Sequence, residues 1–221
     1  MENRNKETIT KYLLSLGSEV LEQIEEVSID LWIGYKTVAE ELMPNANIIA
    51  DRFHIMKQIN EELDAYRKKQ KREVEKIENK TEREEKLEGL KYSKYPLLKK
   101  KEELNEVEKE KLEQVKKVAP LLLEMYEQKE ALRDIFNSEI KEDEALDKIG
   151  NWLAVAQKYF PKSCETIRRW IGEILGYFDN RTTQGTVEGI NQKIKLIKRR
   201  AYGMTNFENF RQRILLNWAV S

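Results

Sequence analysis

Two short β-prone runs lying close together near the N-terminus restrict the folds open to this chain more than any other feature. Glu26-Val-Ser-Ile-Asp-Leu-Trp32 and Asn47-Ile-Ile-Ala-Asp51 are rich in β-branched and apolar residues, and each reaches an acid, Asp30 and Asp51. Between them Gly34 and Tyr35 begin a helical stretch through Val38, Ala39 and Leu42, which Pro44-Asn45 stops. Strand, helix and strand within about 25 residues make a βαβ unit, so the two strands are expected to be parallel with a right-handed crossover. Asp30 and Asp51 then stand at the carboxyl ends of parallel strands, the edge where open α/β sheets place their sites.

Everything else reads as helix. Glu7 to Ile24 is amphipathic and interrupted near Gly17. A helix starts at Arg52, with Asp51 placed as its N-cap. Capping and a direct site role are both open for Asp51, and His54 beside Phe53 reads more readily as a packed, hydrogen-bonded residue than as a ligand. Glu61 to about Gly89 reads as one polar helix with Leu63, Tyr66, Val74 and Ile77 as sparse apolar points. Tyr92-Ser-Lys-Tyr-Pro96 breaks it, and a second charged helix from about Leu104 to Val118 completes a hairpin. Charged residues make up 36% of the chain, which suits long helices with solvated faces, while 40% hydrophobic residues permit a sizeable core. Leu121–Phe136, Ala145–Tyr159 around Trp152 and Cys164–Phe178 around Trp170 read as three greasier helices, followed by a polar connection from Asp179. The tail from Asn206 to Val220 places Phe207, Phe210, Ile214, Leu215 and Trp218 on one helical face.

Ahead of that tail lies Gly185-Thr-Val-Glu-Gly-Ile-Asn-Gln-Lys-Ile-Lys-Leu-Ile-Lys-Arg-Arg-Ala-Tyr-Gly203. Val187, Ile190, Ile194 and Ile197 give a helical apolar face, Thr186 can cap its start and Gly203 its end. Glu188 falls in the first turn, where the helix dipole favours an acid. Lys193, Lys195, Lys198, Arg199 and Arg200 follow it. Two readings stand: a surface helix with a solvated basic side, or a metal-holding acid beside cations that grip a phosphate backbone.

Lys+Arg and Asp+Glu both number 40, so overall charge excludes nothing, but its distribution is uneven. Met1 to Asp64 holds thirteen acids against six bases, a net of −7. Gly185 to Arg213 holds seven bases, Arg211 and Arg213 included, against two acids, a net of +5. A local basic patch of this kind is what DNA responds to. One cysteine, Cys164, and one histidine, His54, cannot build a disulfide framework or a Cys/His zinc site, which suits a cytoplasmic setting. With no run of about 18 apolar residues and no signal-peptide core, the protein is expected to be soluble, with no membrane partner.

Ile29-Asp-Leu-Trp-Ile-Gly-Tyr35, Pro44-Asn-Ala-Asn-Ile-Ile-Ala-Asp-Arg-Phe-His54 and Asn180-Arg-Thr-Thr-Gln-Gly-Thr-Val-Glu-Gly-Ile-Asn followed by the basic run to Gly203 occur in that order. Together they resemble the bacterial DDE transposases of the L-three insertion-sequence group, and the likeness covers nearly the whole chain. The resemblance implies a fragment of a transposase that, when intact, cleaves and transfers DNA strands with Mg²⁺, or Mn²⁺ as substitute. It implies an α/β, predominantly helical chain with a partial ribonuclease-H-like fold, a βαβ unit plus C-terminal helices, around a long all-α insertion. Residues 1–60 would be the partial core, 61–178 the insertion and 179–221 the catalytic-acid and basic helices. Asp30 then corresponds to the second metal-binding acid and Glu188 to the third, with Asp51 and His54 as site support. The family's first acid lies on an earlier strand that this chain does not contain, so the chain matches the C-terminal half of the catalytic domain. Completion would need an N-terminal transposase part or another protomer. The readings set beside this one are a non-catalytic DNA-binding remnant and a helical protein-interaction module using the hairpin.

Overall fold

The computed structural model describes residues 5–180, 185–200 and 206–219. Of the described residues 77% are helical, and among them there is one two-stranded parallel sheet. It divides into two compact units, Met1–Ile48 with Arg181–Ser221, and Ile49–Asn180.

In the first unit α1 (Lys6–Leu14) starts at Asn5, whose Oδ1 accepts the Thr8 N–H at 2.8 Å. The chain turns at Gly17, φ 88°, a left-handed conformation that glycine takes without a Cβ clash, and α2 (Ser18–Glu22) follows. This is the expected interruption. Next come β1 (Glu26–Ile29), α3 (Ile33–Leu42) and β2 (Asn47–Ala50), which pairs with β1. The parallel pair expected from the spacing is therefore present. The Asn45 amide donates to the Glu22 carbonyl at 2.8 Å, tying the turn before β2 to the end of α2. Helices α1 and α3 pack together over Ile9, Leu21, Val38, Ala39 and Met43.

The second unit is all helix beyond the end of β2: α4 (Arg52–Glu75), α5 (Lys80–Leu90), α6 (Lys94–Leu98), a 3-10 turn at Lys101–Glu103, α7 (Glu106–Val118), α8 (Pro120–Asn137), α9 (Glu142–Ala156), α10 (Pro161–Arg169) and α11 (Ile171–Asn180). Its centre is α4 against α8, with Ile55, Ile59 and Leu63 facing a core that includes Leu122, Met125, Leu132 and Phe136. Helix α8 also packs on α7 and α9, and α5 packs on α7 as the hairpin reading expects.

Two expectations need correction. The polar run from Glu61 to Gly89 is not one helix, because the helix begun at Arg52 runs on to Glu75 and a new one starts at Lys80. Asn79 is the cause: its Oδ1 accepts the Glu82 N–H at 3.1 Å, and the Arg83 guanidinium holds the Ile77 carbonyl at 2.8 Å. The run around Trp170 is also two helices, broken at Trp170 itself, where φ −109° and ψ 20° leave the helical range. The charge runs do form solvated faces, laced by pairs such as Lys86–Glu82 and Lys109–Glu106, both at 2.7 Å.

The C-terminal part of the first unit is α12 (Gly185–Arg200) and α13 (Phe207–Ala219), which pack on each other. Helix α12 begins one residue before Thr186, and the expected cap at Gly203 lies outside the described residues. Its apolar face is graded: Ile197 is buried, Ile194 half-buried and Ile190 exposed. On α13 Phe210 and Ile214 are half-buried while Leu215 is exposed, so the expected apolar face is only partly covered; the Trp218 side chain lies outside the described residues.

Candidate functional site

Asp30 is the residue directly after β1, half-buried, at the carboxyl end of a strand in a parallel pair. Its carbonyl accepts the Trp32 N–H at 2.8 Å, which folds the chain sharply into α3. The Trp32 ring lies edge-on to Tyr35 at 4.6 Å and closely over Gly34. A Cβ at Gly34 would sit 2.5 Å from that ring, so a larger residue would have to push the exposed Trp32 ring aside.

Asp51 follows β2 and caps α4, as its position suggests: Oδ1 accepts the Phe53 N–H at 3.0 Å. Its Oδ2 lies 3.0 Å from Nδ1 of His54. A carboxylate only accepts, so Nδ1 carries the proton of this bond. Both oxygens of Asp51 are thus engaged locally. The Asp51 side chain is 10% exposed and that of His54 37%, so the imidazole is the more accessible of the pair. His54 is hydrogen-bonded and edge-packed on Phe53, as expected. Arg52 extends the cluster, donating to Asn137 Oδ1 at 3.1 Å and lying 5.1 Å over the Tyr177 ring.

The cations of α12 are displayed. Lys195, Lys198, Arg199 and Arg200 are exposed and Lys193 is half-buried, as an apolar face set by Ile194 and Ile197 requires. Arg213 is exposed too, while the Arg211 guanidinium is held by Glu208 at 3.0 Å. Glu188 lies in the first turn of α12, in the same compact unit as Asp30, and its carboxylate lies outside the described residues. Among the described residues no group of three or more His, Cys, Asp or Glu side chains gathers to hold a metal ion. Carboxylates are the hard oxygen donors that Mg²⁺ takes, so Asp30 and Glu188 suit it by chemistry, whereas Asp51 has its oxygens committed.

Two polar arrangements escaped the sequence reading. Glu62 caps α10 from α4, accepting the Ser163 N–H at 2.6 Å and the Lys162 N–H at 3.3 Å. Lys129 is fully buried in α8, its ammonium donating to the carbonyls of Leu97 at 3.0 Å and Lys99 at 2.7 Å and pairing with Glu130 at 2.8 Å. Burial pulls Lys129 down to about 8. Glu130 also accepts the Lys101 N–H at 2.9 Å and pairs with Arg133 at 3.3 Å. No local signal singles Lys129 out, because α8 also carries Glu124, Glu127, Arg133 and Asp134.

A family model for transposases, the DDE transposases of the L-three insertion-sequence group, matches residues 1–214. The chain belongs to this transposase family. It is 30% identical over 218 residues to the transposase for insertion sequence element IS1557 of Mycobacterium tuberculosis, covering 90% of this chain and 49% of that protein. It is 24% identical over 212 residues to the transposase for IS1001 of Bordetella parapertussis, covering 94% of this chain and 50% of that protein. The chain thus spans about half the length of the curated relatives it matches, their C-terminal half. No solved structure matches. No helix among the described residues is long and apolar enough to cross a membrane.

Proposed function

We propose that this insertion-sequence transposase fragment supplies two of the three acids of a Mg²⁺-dependent site that cleaves and joins DNA strands, Asp30 and Glu188, within a ribonuclease-H-like core. The observation that carries the reading is the grouping of Arg181–Ser221 with Met1–Ile48 in one compact unit, across the whole helical unit between them. The strand-end acid and the helix bearing the second acid thereby belong to one body. Metal bound there would activate the attacking oxygen and stabilise the leaving one at a scissile phosphate. Asp30 is aimed by the Trp32–Gly34 turn. Asp51 and His54, joined through Nδ1, are the site-support pair that the family motif implies, and neither holds the metal. The exposed Lys195, Lys198, Arg199 and Arg200 hold DNA by its phosphates, which positions the strand without reading its sequence. The remaining acid comes from an N-terminal transposase part or another protomer, in the cytoplasm where the DNA is.

A Mn²⁺ titration followed by electron paramagnetic resonance tests this. Binding should be lost in Asp30→Asn and in Glu188→Gln and kept in Asp51→Asn. Binding untouched by the first two substitutions would overturn the assignment. The exposed cations favour a second reading in which DNA binding persists without catalysis, and that reading predicts salt-dependent DNA binding with no acid-dependent metal site.

A further inference from the structure

The turn between α5 and α6 carries the two most exposed aromatic rings among the described residues, Tyr92 at 78% and Tyr95 at 74%. Tyr92 has φ 58°, the left-handed region that a bulky residue adopts rarely and a glycine readily. A glycine would serve this helix end better, and the tyrosine ring buries almost nothing in return. Folding does not explain the ring.

Its surroundings are cationic. Lys91-Tyr-Ser-Lys-Tyr-Pro-Leu-Leu-Lys-Lys-Lys101 holds five lysines and no acid. The ammonium of Lys91 lies 5.4 Å from the Tyr92 ring centre and that of Lys94 5.7 Å from the Tyr95 ring centre. Glu88 pairs with Lys91, Glu103 with Lys100 and Glu108 with Lys99. Among the described residues neither Lys94 nor Lys101 has a carboxylate at ion-pair distance. The turn is held firmly from below: Ser93, Pro96 and Leu97 are buried, the Ser93 hydroxyl donates to the Leu90 carbonyl at 2.6 Å, and Lys129 grips the carbonyls of Leu97 and Lys99. Two rings and their lysines are therefore displayed on a fixed base.

We propose that this tip is a second nucleic-acid contact, in which Tyr92 and Tyr95 stack on bases of a single-stranded DNA segment while Lys94 and Lys101 hold its phosphates. The proposal rests on the DNA-processing reading and adds to it the form of DNA bound by the helical unit. Exposed rings interleaved with cations match a single strand, whose base faces are open, better than a duplex, whose faces are stacked away. Lys94 and Lys101, the two lysines of the tip with no carboxylate beside them among the described residues, suit a polyanion.

The test is fluorescence anisotropy with a mixed-sequence oligodeoxynucleotide, single-stranded and as its duplex, on the full chain. Tyr92→Gly with Tyr95→Ala removes both rings and relieves the left-handed strain, so the fold is kept; a thermal melt checks this. Single-strand affinity should fall about 25-fold or more, from about five-fold per ring at the low end of base stacking. The salt slope should stay put and duplex affinity should change by less than about two-fold, because rings contact bases and α12 holds the duplex phosphates. Tyr92→Phe with Tyr95→Phe should bind like the parent, and Lys94→Ala with Lys101→Ala should lower the single-strand slope by about 1.4. Unchanged single-strand binding in the Gly/Ala variant, with duplex binding intact, would overturn this proposal alone and leave the tip as a surface for protein. Absence of binding to either DNA form by the parent chain would overturn the DNA reading beneath it.

Discussion

Lys129→Met is the perturbation whose cost the structure defines most fully. It keeps the apolar stem and removes the ammonium. The buried carbonyl of Leu97 and the part-buried one of Lys99 then lose donors at 3.0 and 2.7 Å. Each unsatisfied group costs about 1–3 kcal/mol. Glu130 loses its partner at 2.8 Å but keeps Arg133 at 3.3 Å and the Lys101 N–H at 2.9 Å. In the other direction, the burial penalty that pulls Lys129 down to about 8 is relieved. The balance is a loss of about 3 kcal/mol, the low end for breaking a buried pair. For a chain of this size that is about 6–12 °C in Tm. Thermal and urea melts at pH 7, followed by circular dichroism and by tryptophan fluorescence, read it directly. The pH dependence adds a signature. Between about 8 and the ordinary 10.5 the unfolded chain keeps a proton that folded Lys129 has released, so this group alone makes stability rise with pH there. The Met variant should lack that slope. A variant melting within about 1 °C of the parent would show that the ammonium contributes nothing to the fold and that the clip is solvated or mobile.

Other outcomes follow from single contacts. Asp51→Ala should cost about 1 kcal/mol, since Oδ1 caps α4 through the Phe53 N–H at 3.0 Å, while Asp51→Asn should cost less because asparagine caps as well; chemical denaturation separates the two. If three to five cations of α12 and α13 contact phosphates, log K against log salt should slope by about −3 to −4.5 on duplex DNA, and replacing Lys198, Arg199 and Arg200 with Ala should remove up to about three contacts' worth without altering the melt. Cys164 is fully buried, and burial pushes its thiol up to about 11, so it should resist alkylation at pH 8 in the native chain and react quickly in urea. The 221-residue chain alone should neither cut nor join DNA with Mg²⁺ or Mn²⁺, because it offers two acids where the chemistry of two metals needs more ligands; turnover abolished by Glu188→Gln would contradict this.

The βαβ unit was legible because its signals are local: β-branched runs, a stop at Pro44-Asn45 and an acid at each strand end. So were Asp51 as a cap and the turn at Gly17, each set by one residue's chemistry. The break at Asn79 was missed because the charged residues on both sides continue the helical pattern, and only Asn79 with Glu82 three positions on marks a new start. Lys129 and Glu62 were missed for a different reason. Their partners lie about 30 and 100 positions away, so their roles exist only after the helices pack. Tyr92 is the opposite case. It obeys no local rule for its conformation, and such departures are where function is to be sought. Of the candidate site, motif resemblance named Asp30 and Glu188, and no spacing in the chain joins two residues so far apart.

Anomalous scattering from a crystal of this chain grown with Mn²⁺ would show whether Asp30 and Glu188 share a metal ion. A peak should lie within about 2.5 Å of carboxylate oxygens from both Asp30 and Glu188, with none at Asp51, whose oxygens serve the helix and His54. A peak held by Asp51 without Asp30, or Asp30 and Glu188 lying too far apart to share one ion, would contradict the shared site.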